Sequence, residues 1–396
     1  MEQYSKGIPN RTIGLDLGDR KSQWCLLDKN GEVIERGVVA TKQEALRVCF
    51  QRWSKSRVVM ENGTHSRWVS RLLKGMGHEV IVANAYKVRL ICENDRKHDK
   101  IDAEYLARLG RVDWKLLFPI RYRGEQAQAV RCILKARDGL VRARSQLICQ
   151  VRGMVKAFGS RIPASSAESF VDNSRESLPE ILKPALEPLL KTIGMLSRQI
   201  RGYDVKIEQL GEKRYPETAI LRQVTGVGPI TSLAYLVTLE DPKRFTRSRQ
   251  VGPYVGLVPK LDQSGDQDRQ LSISKTGDGY LRKLLINSAQ YILGYFGPDC
   301  DLRRYGMKVA QRGGKNAKKR AVVAVARKLS VLLHHLWVTG EVYDPLYNSN
   351  RQEQIKASLT GKGEIVHSGG AGQVPAGLLH VVSPLRVTAT PAVHLK

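Results

Sequence analysis

The stretch Thr12-Ile13-Gly14-Leu15-Asp16-Leu17 limits the fold more than any other. Alternation places Ile13, Leu15 and Leu17 on one face of a strand and Asp16 on the other. Gly14 leaves room for a close approach of backbone or ligand. A carboxylate in the middle of an apolar first strand is costly to bury without a partner, and the usual partner is a metal ion or a base. An edge-strand Asp facing water is the plainer reading. Three further carboxylates in matching contexts weigh against it. Glu61 ends a second apolar strand, Arg57-Val58-Val59-Met60-Glu61, and Asp99 and Asp102 open a helix at spacing i, i+3.

The patterning around these acids predicts strands over Thr12–Leu17, Ser22–Asp28 and Val33–Ala40, with Asn30-Gly31 as a hairpin turn between the second and third. A helix follows over Lys42–Lys55, with Thr41 as N-cap and Glu44 completing a capping box. Strand Arg57–Glu61, helix Ser66–Met76, strand Glu79–Ala83 and helix Asp99–Val112 complete the order β-β-β-α-β-α-β-α. Three hairpin-linked strands followed by alternating helices and strands describe a mixed sheet of the ribonuclease H type, although βα alternation alone allows other α/β folds.

The chain of 396 residues is long enough for two or three domains. Its 65 Lys+Arg against 38 Asp+Glu, a net charge of +27, call for a polyanionic partner. Nucleic acid fits better than a membrane surface: no unbroken run of 18 apolar residues occurs and no signal peptide precedes the first strand. The cysteines Cys25, Cys49, Cys92, Cys132, Cys149 and Cys300 form no CxxC pair and no metal-ligand spacing with His. They read as packing thiols of a reducing cytosol. His334 and His335 read as packing residues of an apolar helix.

Five segments are expected: a flexible arm over 1–11, the mixed-sheet domain over 12–122, a helical or coiled-coil region over 123–215, a mainly helical domain over 216–340 and a weakly ordered tail over 341–396. From Glu125 to Phe158 a continuous helix interleaves basic with apolar residues and is nearly free of acids. Arg142, Arg144 and Arg152 are expected to touch phosphates there, a solvated charged face being the alternative. Ser165–Ser177 reads as loop, and Glu180–Leu210 has heptad-like spacing suited to a coiled-coil arm or a dimer contact. Thr225-Gly226-Val227-Gly228-Pro229 before the helix Ile230–Leu239 reads as a helix-hairpin-helix turn, with Gly226 and Gly228 at a phosphate seat. Arg247, Lys275 and the basic turn holding Arg312 and Lys315 are further contacts, and Lys260–Asp268 reads as a polar loop.

Phosphodiester cleavage needs the attacking oxygen activated and the leaving oxygen stabilised. Two Mg²⁺ ions about 3.5–4 Å apart do both, and hard cations demand oxygen ligands. Asp16, Glu61, Asp99 and Asp102 fit that need, since i, i+3 spacing puts the last two on one helical face. The competing role for Asp99 and Asp102 is charge complementing a helix dipole. Asp19, Asp95 and Glu104 are nearby substitutes, and Lys97, His98 and Lys100 are candidate phosphate contacts.

In order, Gly14–Leu17, Met60-Glu61-Asn62-Gly63-Thr64-His65, Lys97-His98-Asp99-Lys100-Ile101-Asp102-Ala103, Thr225–Pro229, Arg244-Phe245, Gly256–Pro259, Ser264-Gly265 and Ile273–Gly277 resemble the IS110/IS1111 family of insertion-sequence transposases over nearly all of Thr12–Val338. The resemblance implies a RuvC-like DEDD domain and a C-terminal transposase domain in a cytoplasmic, nucleoid-associated prokaryotic enzyme. It implies Mg²⁺ on Asp16, Glu61, Asp99 and Asp102, and Ser264 as a nucleophile that forms a phosphoserine link to DNA. It also implies a structured noncoding guide RNA that pairs with donor and target DNA. A recombinase must hold two duplexes, so a dimer or tetramer is expected. The residues alone leave Ser264 open against Ser272 and Ser274, and against a plain Ser-Gly turn. Two other functions compete: a RuvC-like Mg²⁺-dependent structure-specific endonuclease using the acids alone, and a nucleic-acid-binding protein without catalysis.

Overall fold

The computed structural model describes residues 7, 9–53, 55–88, 99–264 and 267–360. Strands β1 (Thr12–Asp16), β2 (Lys21–Leu27) and β3 (Val33–Ala40) form an antiparallel run, and β4 (Arg57–Glu61) and β5 (Glu79–Ala83) join it in parallel, in the order β3-β2-β1-β4-β5. The expected mixed sheet is present. In its register Ile13 pairs with Val58 and Leu15 with Met60.

Strand alternation splits the core in two. Ile13, Leu15, Trp24, Leu26, Val58, Met60, Val80 and Val82 pack against α1 (Gln43–Phe50) and α2 (Ser66–Gly75). The other face carries Cys25, Leu27, Val59, Ile81 and Ala83, and after the short α3 (Ala85–Val88) it is covered by α4 (Asp99–Val112). Helix α1 stops at Phe50, and Thr41 is not its cap. The Thr41 hydroxyl bonds instead to the Gly18 carbonyl (2.9 Å) and Ser22 Oγ (2.8 Å), tying β3 to the β1–β2 turn, and Lys42 stands at the N-cap.

Helix α5 (Glu125–Ala157) and helix α7 (Lys183–Arg214) pack antiparallel along their length. The buried residues of α7 are Leu186, Leu190, Ile193, Ser197, Ile200, Ile207 and Gly211, a heptad seam, and its partner is α5 of the same chain. The stretch expected as loop over Ser165–Ser177 contains α6 (Phe170–Arg175), which forms because Phe170 is drawn into the cluster with Val151, Val155, Leu186 and Leu190.

The third core is built around α9 (Pro229–Leu239), buried throughout from Thr231 onward. The short helices α8 (Thr218–Arg222) and α10 (Val251–Tyr254), with α11 (Gly279–Leu293), α12 (Asp301–Gln311) and α13 (Ala317–Thr339), surround it together with the start of α5. Among the described residues α13 alone has the length and apolarity to cross a membrane, and its Val325, Leu329 and Leu333 are buried in this core. The polar loop expected over Lys260–Asp268 is a hairpin of β6 (Pro259–Ser264) and β7 (Gln267–Ile273). Beyond Gly340, where the sequence pattern fades, α14 (Tyr347–Thr360) is tethered: Asp301 accepts from the backbone of Asn348 (2.7 Å) and Ser349 (3.2 Å). Residues 361–396 of the expected tail, and residues 1–6 and 8 of the expected arm, lie outside the described residues.

Candidate functional site

The acidic positions meet at one end of the sheet because of how α4 lies on it. At the start of β4, buried Arg57 donates from Nη1 to the Gly110 carbonyl (2.9 Å) and from Nε to Glu79 (2.9 Å), so the C-terminal part of α4 sits over the strand beginnings. Further up β1, Gly14 lies directly under Ala103 and Ala107. The helix therefore runs antiparallel to β1 and β4, and its N-terminus reaches their carboxyl ends. The close approach at Gly14 is made by helix backbone, not by a ligand.

At that end, Asp16 and Glu61 each lie one residue past the paired Leu15 and Met60, side by side on neighbouring parallel strands. Alternation puts both on the α4 face. Asp102 directly precedes the Ala103 that covers Gly14, and Asp99 begins the same helix. Asp16, Glu61 and Asp102 are half-buried. Four carboxylates on two strands and a helix are the donor chemistry of a hard divalent cation. Among the described residues no three His, Cys, Asp or Glu side chains close on one ion-sized point.

The substitutes fall away on geometry. Glu104 is bound to Arg36 and Arg108, and hydrogen bonds from Arg36 and then Arg108 hold its carboxyl below the usual carboxylate range. Asp19 pairs with His65 (3.3 Å). Asp95, Lys97 and His98 lie outside the described residues. The loop after Glu61 is pinned: Ser66 Oγ accepts from the Gly63 N–H (2.8 Å) and donates to the Gly63 carbonyl (2.6 Å), and the Tyr122 hydroxyl donates to Asn62 (2.7 Å). Sequence reading passed over His65, although its place in the Met60–His65 motif was the available signal.

Ser264 is the last residue of β6, paired with Gln267. The base of this hairpin is fixed by Ser274 N–H to the Val258 carbonyl (2.8 Å) and Lys275 N–H to the Gly256 carbonyl (3.2 Å). Ser272, a named rival, lies within β7, and Ser274 lies at that base. Among the described residues no close packing links the hairpin to β1, β4 or α4. Just after it, Asp278 caps α11 by accepting from the Leu281 N–H (2.9 Å) and binds Arg131 of α5, whose Nη1 also donates to Thr238 of α9 (2.6 Å).

The expected basic contacts divide. Arg142, Arg247, Lys275, Arg312 and Lys315 are exposed, and Lys100 lies in the first turn of α4. Arg144 is a correction: it is 5% exposed, bound to Glu168 (2.9 Å) and Ser197 (3.2 Å) in the α5–α7 seam. Arg152 is also turned inward, over the Phe170 ring (5.3 Å) and onto the Pro163 carbonyl (3.2 Å). Gly226 is left-handed (φ +87°) and packs against Ser288 and Tyr291 of α11, while Gly228 stands open at the N-cap of α9. His334 is the expected packing histidine, bonded to Ser248 (2.9 Å) and the Pro242 carbonyl (3.0 Å); His335 instead lies on the surface beside Glu341 (3.2 Å). Cys25 and Cys300 are buried as expected, whereas Cys132 and Cys149 are exposed on α5.

Comparison with known proteins decides what this assembly belongs to. A model of IS110-type DEDD transposases matches residues 13–159, and a model of the IS116/IS110/IS902 transposase family matches residues 218–300. The transposase of insertion element IS1328 from Yersinia enterocolitica is 30% identical over 292 residues, 72% of this chain and 84% of that protein. The chain belongs to the IS110 family of transposases. The transposase of element IS1111A from Coxiella burnetii is 29% identical over 347 residues, 84% of this chain and 91% of its own. A pilin gene-inverting protein of Moraxella lacunata matches a shorter part, 30% identical over 112 residues, 28% of this chain and 34% of its own. As a transposase, the protein is a DNA-recombining enzyme of an insertion sequence, and its DEDD part suggests a divalent-metal requirement.

Proposed function

We propose that this transposase cuts and rejoins donor and target DNA through a Mg²⁺ site on Asp16, Glu61, Asp99 and Asp102 and a nucleophilic Ser264, guided by a structured noncoding RNA of its element. The observation that carries the reading is the convergence of β1, β4 and the N-terminus of α4 at one end of the sheet. When bound there, Mg²⁺ activates the attacking oxygen and stabilises the leaving one. The protein's part is to hold four oxygen donors on rigid elements, with the helix N-terminus favouring the approach of anions.

Ser264 Oγ loses its proton and attacks phosphorus. The bond to one DNA oxygen breaks, that oxygen leaves as a free hydroxyl, and the other end stays on the serine as a phosphoester. A hydroxyl of the second DNA then attacks the phosphoserine and releases Ser264 unchanged. One phosphoester replaces another at each step, so no nucleotide is spent. A serine hydroxyl needs an activating base or metal, and among the described residues the hairpin shares no extended packing with the acidic end of the sheet. Assembly of a dimer or tetramer would supply that meeting and would hold both duplexes. The exposed Arg142, Arg247, Lys275, Arg312 and Lys315 offer phosphate contacts for DNA and guide RNA.

The test is incubation with Mg²⁺, the element's flanking RNA and labelled donor DNA, followed by a denaturing protein gel. A DNA-linked band lost in Ser264→Ala and in Asp16→Asn is expected. Cut DNA with no adduct, surviving Ser264→Ala but lost in Asp16→Asn, would make the protein a metal nuclease.

A further inference from the structure

His65 lies at the same end of the sheet, and the chemistry above does not use it. The Trp68 indole N–H donates to His65 Nδ1 at 3.1 Å. An indole nitrogen only donates, so Nδ1 is the acceptor and the ring proton sits on Nε2. That N–H meets Asp19 Oδ1 at 3.3 Å, a long bond to a carboxylate whose side chain is 92% exposed. Asp19 follows Asp16 in the β1–β2 turn and His65 follows Glu61 in the β4–α2 loop, so the pair bridges the two turns beyond the acidic strand ends. The bonds of Ser66 and Tyr122 keep the His65 loop in place.

A fixed N–H whose partner is a solvated carboxylate is a donor that a better-placed anion can take over, because such exposed pairs are held weakly. We propose that His65 is a binding site for a DNA backbone phosphate. The Nε2–H exchanges Asp19 for a non-bridging phosphate oxygen, Trp68 fixes the ring for this, and Asp19 is the competing negative charge. The proposal rests on the reading of the Asp16–Glu61 end as the place where DNA is cut.

The two partners of one bond then act in opposite directions. His65→Ala removes the donor and weakens DNA binding, whereas Asp19→Ala removes the competitor and tightens it. A neutral donor releases no counter-ion, so the salt dependence of binding stays unchanged in His65→Ala.

The experiment is fluorescence anisotropy of the full chain on a labelled DNA duplex with Ca²⁺ in place of Mg²⁺, over a range of salt. Expected are a Kd raised about tenfold in His65→Ala, the worth of one hydrogen bond to a charged group, and a smaller rise in Trp68→Phe. His65→Gln, which keeps an N–H, should bind nearly as the parent does, and Asp19→Ala should bind several-fold more tightly. Asp19→Ala alters an exposed side chain, so its sign is readable even if His65→Ala folds poorly. Shifts of the same sign in His65→Ala and Asp19→Ala, no shift in Asp19→Ala, or a changed salt slope in His65→Ala overturns the phosphate site while Asp16→Asn remains unable to cut DNA. An Asp16→Asn protein that cuts normally overturns the acidic reading, and this one with it.

Discussion

Gly14 and Ala103 touch backbone to backbone: a Cβ on Gly14 would overlap the Ala103 carbonyl oxygen and lie 2.7 Å from the Ala107 nitrogen. This contact lets α4 lie flat on β1 and carries Asp99 and Asp102 to the strand end that bears Asp16 and Glu61. Gly14→Ala should push the helix away and destabilise the protein by about 1–3 kcal/mol, the usual cost of overpacking a filled core. It should also remove metal-dependent cleavage beyond what the lost stability explains. Thermal unfolding and cleavage measured well below the midpoint check both.

Arg131 and Asp278 should govern the acid limb of stability. Burial pushes the Asp278 carboxyl up, but the Leu281 N–H together with Arg131 and Arg123 outweighs it, and the group titrates below the usual carboxylate range. The folded state therefore holds this carboxyl ionised more firmly than the unfolded chain does. The stabilisation is complete above the ordinary value of 3.8 and is lost as pH falls through the depressed folded value. Asp278→Asn keeps a capping side chain and should flatten the acid limb. Arg131→Ala leaves a buried carboxylate without its cation and should cost about 3–5 kcal/mol. Unfolding midpoints between pH 5 and pH 2 distinguish the two variants.

Two histidines set a second pH dependence, nearer neutrality. Burial pushes both His78 and His334 below the ordinary 6.5, against smaller raising effects of backbone hydrogen bonds. The unfolded chain binds protons on them that the folded chain does not. Their contribution is present above 6.5 and falls as the pH drops below it. His334→Gln should remove part of this slope. An unfolding midpoint flat from pH 7.5 to pH 5 in the parent chain would contradict it.

Much of the first domain was legible in the sequence because its physics is local. Alternation in Thr12–Leu17 and the short apolar run in Arg57–Glu61 give the strands, and Asn30-Gly31 the hairpin. The side-by-side placement of Asp16 and Glu61 follows once those strands are parallel neighbours. What the sequence hid was tertiary. Thr41 satisfied every local rule for a cap, yet its hydroxyl serves Gly18 and Ser22 across the sheet. The hairpin over Pro259–Ile273 looked like loop because its residues are polar and its pairing is with itself. His65 was passed over because its meaning lies in Trp68 and Asp19, one a turn away in α2 and the other in a different strand's turn.

The same limit of sequence reading separates three arginines of α5, and the separation can be measured. Arg142, Arg144 and Arg152 look alike in the sequence, each one basic residue among apolar neighbours. Only Arg142 is exposed, with its side chain beside Asp138 on the helix surface. A phosphate contact by an exposed arginine releases a counter-ion, so Arg142→Ala should weaken nucleic-acid binding and reduce the slope of log K against log salt by about one. Arg144 is spent on Glu168 and Ser197, and its loss removes a buried guanidinium from a carboxylate that is itself mostly exposed. Arg144→Ala should lower the unfolding midpoint by the equivalent of about 1–2 kcal/mol, the worth of its lost hydrogen bonds, and leave the salt slope alone. Arg152→Ala should resemble Arg144→Ala, more mildly, because the guanidinium lies on the Phe170 ring and caps the Ile162 and Pro163 carbonyls. Paired measurements of salt slope and unfolding on the three variants decide the matter. A reduced slope in Arg144→Ala with unchanged stability would place the phosphate contact on the other side of the helix.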